Sequence, residues 1–242
     1  MGIKLKKRFC IFVFLCVAHE IGAQLRILPV FGDKSITENT WFVSKNGDSM
    51  QFDNIRFYVS NIQLGMDDSS VIQDTVKAHL VDVFEPNSLH IALPKIDFKR
   101  VKTLHFDIGI DSLTNVLGAL SGDLDPQRGM YWAWQSGYVN MKIEGKSPQC
   151  KSRKNVFQYH IGGYLPPFYA MRHVELPILG ISRCSGCRFT PYTEGSFLKM
   201  DFSKFFETRH FASQNSIMTP CKEAMELADL SVQMFSISTH EK

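Results

Sequence analysis

The sequence predicts an all-β fold: a β-sandwich of Greek-key type with one or two short helices, one of them near the C-terminus. Three observations predict it. Short apolar segments with alternating pattern recur along the chain, turn residues such as Asn46-Gly47 and Gly122-Asp123 punctuate them, and helical signals are confined to two places. Strands that are apolar on one side imply two sheets sharing one core, not a sheet covered by helices on both faces.

In chain order, the first element is not part of the fold. Lys4, Lys6, Lys7 and Arg8 precede the apolar run Phe9 to Ala18, and Ile21-Gly22-Ala23 offers small residues for cleavage before Gln24. That order of charge, apolar core and small residues reads as a secretory signal peptide over residues 1–23. The run is too short to span a bilayer, and no later segment of the sequence approaches a transmembrane length. Residues 24–242 then read as a single domain, exported to the periplasm or secreted.

Loss of the signal changes the charge balance. The whole chain has 27 Lys+Arg and 24 Asp+Glu; removing four cations and one anion leaves 23 of each. A neutral domain with dispersed charge gives no electrostatic basis for binding nucleic acid. Four cysteines remain: Cys150, Cys184, Cys187 and Cys221. In an exported chain they read as two disulfides with three connectivities open. The Cys184-Ser185-Gly186-Cys187 spacing also occurs in zinc and redox sites, but no second close pair and no βαβ context accompany it.

Asn54 to Leu64 (NIRFYVSNIQL) is the clearest strand. Ile55, Phe57 and Val59 share one face, and Ile62 and Leu64 resume after an odd step, so one residue must be inserted near Ser60-Asn61 as a β-bulge. Further strands are predicted at Lys77 to Phe84, Thr103 to Ile110, Tyr131 to Glu144, Val156 to Ile161, Phe197 to Phe202 and Ser231 to Ser238. Thr219-Pro220 followed by CKEAMELADL predicts a helix with Thr219 as N-cap and Pro220 at its first position. Asp111 to Leu120 predicts a second, short one.

The chemistry-bearing residues are few. In an extended strand Met130, Trp132 and Trp134 would point to one side, where they serve either as core or as the lining of a site. A thioether, an imidazole and an electron-rich indole together suit Cu(I). His160, followed by Gly162-Gly163, is the leading histidine, as a ligand or as a hydrogen-bonded core residue; His79, His90 and His105 are lesser candidates. Gly122-Asp123-Leu124-Asp125-Pro126 fails the EF-hand template and reads as turn chemistry, with Asp123 placed to hold Arg128. No G-x-S-x-G, H-E-x-x-H, P-loop or dinucleotide fingerprint is present, and nothing in the sequence argues for an enzyme.

Four blocks taken together, FDNIRFYVSNIQL, DIGIDSLTN, GDLDPQRGMYWAWQSGYVNMKIEG and FQYHIGG, resemble the MbnP-like proteins, exported bacterial copper-binding proteins of the metallo-mystery pair group. The resemblance implies a single copper ion, with His160 as a metal-site residue and Trp132 and Trp134 beside it; Met130 joins the expected metal site on the soft-ligand chemistry of its strand face, not on the resemblance. It also implies a partner diheme cytochrome c peroxidase able to oxidise a tryptophan. Where many members carry a further histidine and tryptophan, this chain has Tyr131 and Gln158. The alternative is a β-sandwich binding or structural protein that kept the scaffold and lost the metal, working through loops such as Tyr164 to Ala170.

Overall fold

The computed structural model describes residues 24–94, 96–97, 100–135, 137–178 and 197–238. The signal peptide, Cys184 and Cys187 lie outside the described residues. The principal strands, numbered in chain order, are β1 Gln24–Phe31, β2 Ser49–Met66, β3 Ala78–Asp82, β4 Val101–Ile108 and β5 Tyr131–Trp132. They continue with β6 Gly137–Lys146, β7 Val156–Gly162, β8 Arg172–Pro177, β9 Phe197–Asp201 and β10 Phe235–Ser238. The α-helices among the described residues are α1 Ser112–Val116, α2 Phe202–Phe205 and α3 Lys222–Val232.

The large sheet runs β8-β4-β2-β6-β7 and the small one β10-β9-β1, giving the predicted two-sheet sandwich with few helices. β2 is the spine. Phe57 faces Met141 of β6 and Val81 of β3, while Val59 faces Ile108 of β4 and His79 of β3. β6 and β4 therefore share one edge of β2, end to end, and β3 takes the other. The bulge needed for this lies where the alternation places it: the β2–β4 register shifts between Ser60 and Gln63, and Asn61 adopts φ 50°. Ile55, Phe57, Val59, Ile62 and Leu64 consequently all enter one core. Asn61 tolerates the left-handed backbone, and its amide holds Asp107 at 3.2 Å.

The structure corrects several predicted elements. Tyr131 to Glu144 is not one strand but the β5–β6 hairpin, with Gly137 paired to Trp132 and the Gln135 amide bonded to the Trp132 carbonyl across the turn. Glycine is required at 137, where a Cβ would stand 2.8 Å from the Tyr164 ring. Helix α3 starts two residues later than predicted, with Cys221 as N-cap, its sulfur accepting from the Ala224 amide at 3.4 Å. It runs through Val232, so β10 begins at Phe235 and not at Ser231. β1 escaped the sequence reading because Pro29 interrupts its alternation; it lies parallel to β9 in the small sheet. Cys150 and Cys221 carry free thiols, so no bridge joins these two.

The main core fills the space between the sheets and is unusually aromatic. Phe157 stacks on Phe211 with centroids 4.6 Å apart, and Phe52, Phe202, Phe205 and Phe206 close around them. A second, smaller cluster lies apart from it: Tyr58, Ala78, Ile110, Leu124, Met130, Trp132, Tyr138 and Val139. The chain from α1 to β5 wraps over this cluster, and the candidate site lies at its margin.

Candidate metal centre

Strand alternation places polar side chains on the face of the large sheet that turns away from the main core. Asp82, Arg56, Lys142 and His160 occupy one rung across β3, β2, β6 and β7; Asn54, Glu144 and Gln158 occupy the next. The Arg56 Nε lies 2.7 Å from Asp82 Oδ2, and its Nη1 donates to the Arg128 carbonyl at 3.0 Å. Lys142 Nζ donates to the Gly129 carbonyl at 2.6 Å. These two cations thus anchor the loop that carries Met130 to the sheet. The loop itself is set by Asp125, which accepts from the Gln127 amide, and by Asp123, which accepts from the Leu80 amide and faces Arg128 at 3.9 Å. The Gly122–Arg128 stretch is the predicted turn chemistry.

Glu144 is the hub. Its Oε1 lies 2.7 Å from His160 Nε2 and accepts from Gln158 at 3.5 Å, while its Oε2 accepts from Asn54 at 2.8 Å. The bond to His160, helped by Asn54 and the charge of Lys142 against the cost of burial, holds the Glu144 carboxyl down at about 2. Burial pushes Lys142 below the ordinary lysine range, opposed by Glu144 and aided by Arg56. Neither Glu144 nor Asn54 was singled out from the sequence. The signal was present in N-M-K-I-E-G, where Met141 and Ile143 face the core and so Lys142 and Glu144 must face outward.

The tryptophans are placed differently from each other. Trp132 is buried in the smaller cluster with Met130, whose side chain is fully buried. Its indole covers Gly162, where a Cβ would stand 2.7 Å from Trp132 Cζ3 and 2.9 Å from the Tyr138 carbonyl oxygen. Gly162 is two residues beyond His160 on β7, so indole and imidazole share a face of that strand. Trp134 is not on this strand face: it sits in the hairpin turn, 64% exposed, with its ring 5.6 Å from that of Trp132 at 45°. The turn overturns the expectation that Met130, Trp132 and Trp134 align along one strand, yet it still brings the two indoles together. Of the lesser histidines, His79 pairs with Asp74 at 2.6 Å and, with His90, lines an open cleft of about 540 Å³. His105 and His173 lie at the other edge of the sheet.

The donor set decides what this place can hold. Two ligands at ~2.0–2.2 Å from a metal ion and at right angles stand roughly 3 Å apart. The 2.7 Å between His160 Nε2 and Glu144 Oε1 is a direct hydrogen bond, so to serve as joint ligands the imidazole and carboxylate would exchange that bond for a shared ion. Imidazole and carboxylate suit Cu(II) better than the Cu(I) expected from a Met130 thioether, which is sealed in the smaller cluster. Among the described residues no three His, Cys, Asp or Glu converge, so the pair offers an ion two protein donors and no third of these types.

Comparison with known proteins comes to the same scaffold. The family model MbnP matches residues 20–219. A solved structure, MbnP from Methylosinus trichosporium, superposes with a TM-score of 0.59 at 15% identity, covering 90% of this chain and 98% of that one. At that identity the likeness is one of fold. A search of curated proteins finds no match.

Proposed function

The chain belongs to the MbnP family, and from that premise we propose that it is an exported binding protein, not an enzyme, that holds one copper ion at the His160–Glu144 pair. The observation that carries the proposal is the placement of the His160 imidazole and the Glu144 carboxylate side by side on the outer face, next to a buried indole. Copper, when bound, would supply a redox-active ion. The protein's own residues would do the rest. Asn54 and Gln158 orient the carboxylate. Trp132 covers the strand next to His160 and excludes water from that side. Trp134, exposed at the hairpin tip and packed near Trp132, would present an indole to an oxidising partner of the diheme cytochrome c peroxidase type.

A second reading has its own support. Both Glu144 oxygens already have protein partners, so the polar row is complete without a metal. On that reading the scaffold binds through its loops and the copper site has been lost. Metal analysis of the native exported protein, with intact mass on the same sample, separates the two. Copper titration of wild type, His160→Ala and Glu144→Gln locates the site. Loss of binding in both variants supports the copper reading; equal affinity in all three proteins rejects this site.

A further inference from the structure

The far edge of the large sheet carries a pattern that the His160 site does not use. β4 contains His105-Phe106-Asp107 and β8 contains His173-Val174-Glu175, two copies of histidine-apolar-acid. The strands are antiparallel and in register so that His173 faces Asp107 and Glu175 faces His105. Each histidine therefore opposes the other strand's acid, and the four side chains form a two-by-two block in which imidazoles occupy one diagonal and carboxylates the other. Val174 and Phe106, between them, are buried in the main core, which fixes all four polar side chains on the outer face.

The block is partly assembled. His173 Nδ1 is hydrogen-bonded to Asp107 Oδ1, and Asp107 Oδ2 accepts from Asn61 at 3.2 Å, which makes the buried Asp107 the fixed member. His105 Nδ1 stands 3.9 Å from Glu175 Oε2. As the side chains stand, no three donors converge. Packing does not hold the outer two: the side chain of His173, bonded to Asp107, is 77% exposed and that of Glu175 68%. Directly opposed side chains have Cβ atoms ~4.5–5.5 Å apart and diagonal neighbours roughly 7–8 Å, within reach of imidazole and carboxylate arms around one ion.

We propose that His105, Asp107, His173 and Glu175 form a cation site on the sheet edge, separate from the His160–Glu144 pair and selective for a divalent ion of the zinc type. Two imidazoles with two carboxylates give the borderline, tetrahedral-capable set that Zn(II) takes, and two negative charges offset the two positive charges of the ion. Binding would tie edge strand β8 to β4 by side chains as well as by its ladder. Asn61, the bulge residue, acts as the positioning residue because it holds the free oxygen of Asp107.

The site is tested by adding Zn(II) to the mature protein and following the histidine ring resonances by NMR. His105 and His173 should shift together along one saturating profile, complete at one bound ion. Glu175→Gln, an exposed change that leaves the fold intact, should weaken binding roughly tenfold or more, as should His173→Ala. His160→Ala should leave this site unchanged, so its failure and the failure of the copper reading are distinguishable. Independent, non-saturating shifts of the two rings, or unaltered affinity in Glu175→Gln, would reduce the block to cross-strand ion pairing and overturn the proposal.

Discussion

The two faces of the large sheet are built by different means. On the inner face, strand alternation alone delivers Ile55, Phe57, Ile143, Phe157 and Tyr159 to a core closed by aromatic packing. On the outer face, an apolar cluster around Tyr58, Met130, Trp132 and Tyr138 is covered by irregular chain instead of a second sheet. That cover is held by polar bonds. The Tyr138 hydroxyl accepts from the Leu120 amide at 3.0 Å and lies 2.9 and 3.1 Å from the carbonyls of Leu124 and Gly118. The Tyr58 hydroxyl donates to the Asp123 carbonyl at 3.0 Å. Burial raises both phenols above the ordinary tyrosine range, so these hydroxyls stay protonated even where a free tyrosine would ionise. Packing holds the inner face, whereas a hydrogen-bonded lid holds the outer one.

The largest test of this contrast is Phe157→Ala. The ring is fully buried, stacked on Phe211 and edge-on to Phe52 at 6.2 Å. Its removal should cost about 3–5 kcal/mol, seen in denaturant melts as loss of the whole fold. If the melt instead split into two transitions, the two clusters would be independently stable.

Tyr138→Phe probes the lid. The ring and its edge-on contact with Tyr58 at 5.9 Å remain, while the Leu120 amide and the carbonyls lose their partner. We expect a cost of about 1–3 kcal/mol. Amide exchange should rise chiefly between residues 118 and 130, with the inner sheet least affected. Uniform acceleration across the sheet would show that lid and core open as one unit.

The sequence made these faces unequally legible. Alternation fixes which residues of β2, β6 and β7 point inward, and an odd apolar step is enough to reveal the Asn61 bulge. The lid was harder because its contacts are long-range and polar. Nothing local in Y-W-A-W-Q-S-G announces a hairpin except its glycine, and that glycine is needed because Tyr164 approaches from a distant loop. The hub Glu144 was missed for a related reason: a single acid in a strand looks like a solvated face until Asn54, Gln158 and His160 arrive from two other strands. His160 stands out in the sequence by its glycine tail, and in the fold it pairs with Glu144 two residues before the Gly162 that Trp132 covers.

Glu144→Gln sharpens the comparison through pH. The native carboxyl is held down at about 2, chiefly by His160, whereas an unfolded glutamate titrates near ~4.3. A depressed carboxyl contributes stability that is present above the unfolded value and is lost as pH falls through the native one. The wild type should therefore melt higher than Glu144→Gln at neutral pH, and the gap should close as pH falls from about 4.5 towards 2. A gap that stays constant over this window would mean that the His160–Glu144 bond does not favour the ionised acid.

The smallest effect is expected at Trp134, and its smallness is the point. The side chain is 64% exposed and touches the fold through its neighbour Trp132, 5.6 Å away between ring centroids. Trp134→Ala should change stability by no more than about 0.5 kcal/mol, as for an exposed turn position. Trp132→Ala removes an indole that covers Gly162 and should cost about 3–5 kcal/mol. Thermal melts of the two variants decide the matter directly. Near-equal costs would mean that Trp134 seals the outer cluster and belongs to the lid; a large difference leaves it as an indole displayed at the hairpin tip, where a partner can reach it without disturbing the fold.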